Sequence, residues 1–300
     1  MHMVMIFLDG FGLGEKDNNP IFAAKTPFLD ELLGGHLLWG SRCITHNKTV
    51  YRALDPTLGV TGTPQSATGQ TTLWTGVNAA KALGFHLHAY PNQRLAEIIT
   101  DQSIFRQLAD AGKTVMFANT FTDAYDQSVA TGKRKHSAST LSALAGGVRL
   151  RRVPDLMEGL AVYQDMTNAI LVQLGEQVPI IPSFEAGEHL GNLALNYDFT
   201  LYEFFQTDVL GHKQLWNEAV RLVERIDDFI GGFLSVIKEQ EDVAWILTSD
   251  HGNIEDFSVK GHTTNPVPAL CWSNQPVQWP EWNNLEEVTP GIIQLLTEVK

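Results

Sequence analysis

Residues 3–12 read MVMIFLDGFG, an unbroken apolar run followed by an acid and a Gly-Phe-Gly turn. A run this short with no polar interruption is how a strand covered on both faces is written. It lacks the basic lead and the length of a secretory signal, and nothing near ~20 consecutive apolar residues occurs anywhere in the chain. The strand therefore delivers Asp9 at its carboxyl end, in a turn that exposes the carboxylate. Residues 243–253, VAWILTSDHGN, repeat the arrangement and place Asp250 and His251 just past a second apolar strand. Ligands of open α/β sheets gather beyond the carboxyl ends of the strands, so the two segments together predict an α/β fold with a site at those ends.

Working outward, Thr26-Pro27 opens a helix that Gly34-Gly35 stops. Residues 59–76, GVTGTPQSATGQTTLWTG, form a Gly/Thr/Ser-rich loop that runs into a helix, which puts backbone amides and hydroxyls where an anion would sit. Residues 214–239 carry Leu222, Ile226, Phe229, Ile230, Phe233 and Ile237 at helical spacing. Between about 85 and 190 the texture changes. A helix is expected over 103–111 and a strand over 114–118, and basic residues collect at Lys133, Arg134, Lys135, Arg149, Arg151 and Arg152. With 300 residues to place, two units are expected: a core of residues 1–85 and 190–300, and an inserted α/β cap of residues 86–189.

The formal charge of −13 excludes a nucleic-acid polymer or an anionic membrane as the natural partner, because such surfaces are bound through Lys and Arg. A small phosphorylated substrate fits better, with metal ions supplying positive charge and carboxylates holding the ions. Cys43 and Cys271 lie far apart and form no CxxC, so neither a zinc ribbon nor a disulfide framework is indicated and a cytoplasmic setting is expected.

The candidate ligands are individually modest. Asp208 and His212, in TDVLGH, stand one helical turn apart and would face one ion, although a surface pair has the same spacing. Asp250 and His251 are neighbours in a tight turn after a buried strand, where adjacent side chains reach two different ions. His262, in GHTTNPVPAL, sits in a loop before another apolar strand. Ser66 reads either as a helix cap or as a nucleophile that needs activation. Taken together, Asp9, Asp208, His212, Asp250, His251 and His262 make six nitrogen or oxygen ligands. Three of them are imidazoles, which suits two divalent ions of the Mn²⁺ or Zn²⁺ type.

In that order, DGFG, S-x-x-G before a helix, D-x-x-G-H, DHGN and HTTNPVP resemble the alkaline phosphatase superfamily, in its metalloenzyme branch with cofactor-independent phosphoglycerate mutase and phosphopentomutase. The resemblance implies a three-layer α/β/α core around a mostly parallel sheet, with a smaller inserted cap. It implies that Asp9, Ser66, Asp250 and His251 hold one metal and Asp208, His212 and His262 the other. It further implies that Ser66 is phosphorylated during transfer of a phosphoryl group from a small phosphomonoester, in a phosphatase or a phosphomutase. Two departures stand out. Gly69-Gln70 replaces the Gly-His that mutases carry after the nucleophile, and the insert is shorter than that of the phosphoglycerate mutases. The cluster Lys133, Arg134, Lys135 and His136 would bind a second phosphate or carboxylate. The alternatives are a phosphodiesterase or nucleotide pyrophosphatase, with Phe11, Trp74, Phe85 or Tyr90 stacking a base, and a non-catalytic metal-binding homologue.

Overall fold

The computed structural model describes residues 1–38, 44–46 and 48–298; Cys43, and with it the expectation about cysteine pairing, lies outside them. Nine strands are assigned among the described residues: β1 (His2–Leu8), β2 (Ile44–His46), β3 (Thr49–Leu54), β4 (Val115–Phe117), β5 (Thr120–Phe121), β6 (Arg151–Arg152), β7 (Phe199–Phe204), β8 (Val243–Thr248) and β9 (Val267–Ser273). Seven form one sheet in the order β2-β3-β9-β8-β1-β7-β4. The run β8-β1-β7-β4 is parallel, and β9, β3 and β2 continue it by antiparallel pairing.

β1 is central, and its two faces explain its composition. Val4, Ile6 and Leu8 pack in one cluster with Leu222, Ile226, Phe229 and Phe233 of the helix Trp216–Ile237. Met3, Met5 and Phe7 point the other way, into a cluster with Leu73 and Trp74 of the helix Ser66–Thr75 and Ile292 of the helix Val288–Thr297. Every second residue thus enters a different helical layer, which is why the strand has no polar face and why the architecture has three layers. Each such side chain contributes roughly 1.5–3 kcal/mol on burial.

The outer helical layer relies on close approach. The helices Ser183–Ala194 and Trp216–Ile237 meet at Gly187 and Gly232, where a Cβ would run into the backbone oxygens of Phe229 and Phe184 respectively. Asp227, on the long helix, accepts the Phe28 and Leu29 amides and so caps the helix Pro27–Leu33. Burial lifts its carboxyl to about 6.

The strand and helix expected near 103–118 form as Ile104–Asp110 and β4. They do not belong to a separate insert: β4 pairs with β7 at the edge of the main sheet. Leu95, Ile99, Ile104 and Phe105 share a cluster with Met3, Met5 and Phe7 or pack beside it, and the helix Ser183–Ala194 runs across the boundary drawn at 189/190. The range 86–189 is therefore not a unit of this fold. What stands aside is smaller: the β5/β6 pair, the helices Asp123–Ala130, Val153–Met157 and Ala169–Gln173, and a satellite core of Leu156, Ala161, Tyr163 and Leu171. A three-residue apolar strand carries no mark of the sheet it joins, which is why composition misplaced the boundary.

Candidate metal centre

Three parallel strands end at the same edge and deliver most of the site. Asp9 follows β1, with its amide donating to the Phe204 carbonyl at 2.9 Å, so the ladder holds the backbone of this residue. Asp250 and His251 follow β8. Asp208 and His212 lie on the helix Gln206–Lys213, which begins directly after β7, and the Thr207 hydroxyl donates to the Asp9 carbonyl. His262 comes from the loop before β9, and Ser66 is the first residue of the helix Ser66–Thr75.

The seven residues converge as two groups. In the first, His251 Nε2 lies 3.4 Å from Asp9 Oδ1, 3.5 Å from Asp250 Oδ2 and 2.9 Å from Ser66 Oγ. In the second, His262 Nε2 lies 3.2 Å from Asp208 Oδ1 and 3.1 Å from His212 Nε2, and His212 Nε2 is 3.4 Å from Asp208 Oδ2. The rings of His251 and His262 stack with centroids 3.7 Å apart, so the groups share a wall.

Several observations fit divalent cations at these positions. His251 Nδ1 contacts the Gly252 carbonyl at 3.3 Å and His262 Nδ1 the Pro64 carbonyl at 2.9 Å, which fixes a hydrogen on each Nδ1 and turns each Nε2 toward carboxylate oxygens. Asp9 Oδ1 and Asp250 Oδ2 are buried without any hydrogen-bond partner. Buried acceptors that face one another without a donor are unfavourable unless a positive charge lies between them.

Protonation follows the same geometry. Burial, and then the charge of Asp250, pushes Asp9 well above the usual carboxylate range; burial and the Asp208 charge raise Asp250. Burial, reinforced by His262, lowers His251 to about 3, so its imidazole is neutral at neutral pH. In the second group burial alone would raise Asp208, but the His262 hydrogen bond and the nearby imidazoles outweigh it and hold the carboxyl low. His262 is raised in turn, its own burial being outweighed by Asp208.

Sequence reasoning missed several supporting residues. Gln70, noted only as a departure, donates from Nε2 to Asp9 Oδ2 at 3.0 Å and leaves Oδ1 to face His251. Asn253 Nδ2 holds Asp208 Oδ1 at 2.7 Å. Glu203, near the end of β7, is buried, accepts from Ser139 Oγ at 2.7 Å, and is pushed by burial to about 7. A charged residue in the otherwise uncharged run FTLYEF was the available signal.

A cavity of about 500 Å³ opens from Asp9, Ser66 and Asp208 and extends past Glu203 and Tyr125 to Arg134 and Lys135. The three arginines and His136 are engaged in other contacts: Arg149 and Arg151 with Asp155, Arg152 with Asp126, and His136 with the Tyr125 hydroxyl at 2.8 Å. Of the aromatics considered for base stacking, Phe11 and Trp74 are wholly buried in the core, whereas Tyr90 lines the cavity.

A family model described as the metalloenzyme superfamily matches residues 1–298. The chain is 33% identical over 107 residues to a 2,3-bisphosphoglycerate-independent phosphoglycerate mutase from Clostridium botulinum, a stretch that covers 33% of this chain and 21% of that protein. It is 35% identical over 107 residues to a second such mutase, from Methanosarcina barkeri, again 33% of this chain and 20% of the relative. The chain thus spans only about a fifth of the length of these curated relatives. Among solved structures, the PH0037 protein from Pyrococcus horikoshii aligns over 100% of this chain and 98% of its own, with a TM-score of 0.62 at 16% identity. The alkaline phosphatase of the Antarctic bacterium TAB5 aligns over the same shares with a TM-score of 0.53 at 13% identity. At such identities the structural likeness establishes an alkaline phosphatase-like α/β fold.

Proposed function

Because the chain belongs to the metalloenzyme superfamily, we propose that it transfers the phosphoryl group of a small phosphomonoester through Ser66, as a phosphatase or a phosphomutase. One observation carries the reading: the Ser66 hydroxyl sits 2.9 Å from His251 Nε2, where the two ligand groups meet a cavity with cationic residues on its far wall. One divalent ion, Mn²⁺ or Zn²⁺, would be held by Asp9, Asp250 and His251 with Ser66, and another by Asp208, His212 and His262. Bound there, the ions would favour the serine alkoxide and offset charge on the phosphoryl oxygens.

The chain's own groups then do the following. Ser66 opens a ten-residue helix, whose positive dipole end favours an incoming phosphoryl anion. The Ser66 hydroxyl gives its proton to solvent, its oxygen attacks phosphorus in line, the Ser66 O–P bond forms, and the ester P–O bond breaks with the leaving oxygen taking a proton from solvent. Water, or a second hydroxyl of the substrate, then accepts the phosphoryl group and restores Ser66. Gln70 and Asn253 keep Asp9 and Asp208 oriented throughout. Arg134 and Lys135 are suited to a second anionic group on the substrate. Among the described residues no helix is long and apolar enough to cross a membrane, and a cytoplasmic setting is part of this reading.

Phosphorus NMR of the Mn²⁺-loaded protein with a pool of sugar phosphates, phosphoglycerates and nucleotides, alongside Ser66→Ala, tests the proposal. Release of phosphate by the wild type alone would identify a phosphatase, and migration of phosphate without release a mutase. Turnover that persists in Ser66→Ala would overturn the role of the serine.

A further inference from the structure

Glu255 is wholly buried beside the two ligand groups and belongs to neither. Its Oε2 accepts the Gly12 amide at 3.1 Å and the Asn253 amide at 2.7 Å. Its Oε1 accepts the Thr263 hydroxyl and, at 3.0 Å, Asn265 Nδ2. A carboxylate offers about four lone-pair positions, and all are used. The four donors favour the ionised form and oppose the burial that raises this carboxyl above its ordinary range.

The donors come from three separate loops, each next to ligand residues. Gly12 follows Asp9, Asn253 follows Asp250 and His251, and Thr263 adjoins His262. Space for the carboxylate is built into the sequence: a Cβ on Gly12 or on Gly252 would overlap the Glu255 carboxyl group. Two of the motif glycines thus exist to admit this side chain. Backbone bonds close the clamp, from Ile254 N to Gly10 O at 3.0 Å, Thr263 N to Gly252 O at 3.0 Å and Leu13 N to Pro266 O at 2.8 Å.

We infer that Glu255 is a positioning residue that joins the Asp9, His251 and His262 loops to a single carboxyl group and so sets the spacing between the two metal positions. This rests on the two-metal reading above. Asp9 and Asp250 are also anchored by strand ends, whereas His262 depends on its loop, so loss of Glu255 falls hardest on the Asp208–His212–His262 group.

Glu255→Gln tests this in the full chain. The amide keeps the shape of the side chain but puts two N–H donors where two donors already point. Mn²⁺ is titrated calorimetrically into chelator-treated protein, and the loaded protein is read by electron paramagnetic resonance, which distinguishes a spin-coupled Mn²⁺ pair from isolated ions. The wild type is expected to bind two ions and show the coupled spectrum. Glu255→Gln, folded by far-UV circular dichroism, is expected to bind the second ion at least tenfold more weakly and to lose the coupling, with Glu255→Asp intermediate. Wild-type affinity and coupling in Glu255→Gln would overturn the inference, even with a lowered melting temperature, because the residue would then be merely structural. If Glu255→Gln does not fold, Thr263→Val, which removes one donor, decides: about threefold weaker binding of the second ion is expected, and unchanged binding overturns it. A wild type that takes up no Mn²⁺ would instead sink the two-metal reading on which the inference stands.

Discussion

The two ligand groups are built from similar side chains but stand in different solvents. Asp250 and His251 are fully buried, while the His212 side chain is 49% exposed. The first group is set on strand ends, and its carboxyls are pushed toward the protonated form by burial. The second is set on a short helix and a loop, and Asp208 is held ionised by His262. Similar candidate ligands placed on a sheet edge and on a helix thus acquire opposite electrostatics: in the metal-free chain the carboxyls of one group are pushed toward the protonated form and that of the other toward the ionised form.

The largest expected effect lies where the groups meet. Ser66→Ala should lower turnover by about 10⁴ or more, by analogy with loss of other covalent nucleophiles, while both groups still take up metal. Steady-state rates alongside metal content check this. Next, Asp250→Asn and Asp208→Asn should each lower activity by at least about a hundredfold, a floor taken from the cost of disturbing residues behind a metal. Their metal-free forms should diverge in stability. A carboxyl whose folded value is raised costs stability as the pH rises past its unfolded value of about 4, so neutral Asn at position 250 should stabilise the metal-free protein at neutral pH. A carboxyl whose folded value is depressed contributes stability above about pH 4 and loses it on further acidification, so Asn at position 208 should destabilise. Thermal melts in chelator read the two signs, and shifts in the same direction would break the contrast.

Acidification should also separate the groups. Metal must displace protons from Asp9 and Asp250, so Mn²⁺ affinity at the buried group should begin to fall above the ordinary carboxylate range. At the second group Asp208 offers no such competition, and the limit there is set by the imidazoles, of which His262 is raised. Calorimetric titrations at several pH values would show two distinct profiles. The smallest effect is expected furthest from the ligands: Arg134→Ala with Lys135→Ala should raise KM about tenfold with kcat little changed, the signature of lost substrate binding. An unchanged KM would remove these residues from the site.

Much of this was legible because some signals are local. β1 and β8 announce themselves, since a strand covered on both faces must be apolar throughout, and each leads into a candidate ligand acid. The seven candidate residues are named by short motifs, and the fold brings all of them together. Other features depend on what lies across space. Glu255 differs in no local way from its neighbour Asp256, yet one is buried under four donors while the other is tied up in a local turn with Ser258. The basic run at 133–136 and the arginines at 149–152 looked alike in sequence. Only Arg134 and Lys135 among them reach the cavity, because Asp155 and Asp126 occupy the arginines. β4 falls within the expected insert, since its short apolar run says strand without saying which strand lies beside it.

The most direct measurement is peptide mass spectrometry of Mn²⁺-loaded protein quenched in acid during incubation with a pool of phosphomonoesters. One phosphoryl group on Ser66, absent when the metal is chelated, is the predicted result. Turnover of a phosphomonoester with Ser66 unmodified at every quench time, or with the phosphoryl group on another residue, would contradict the account.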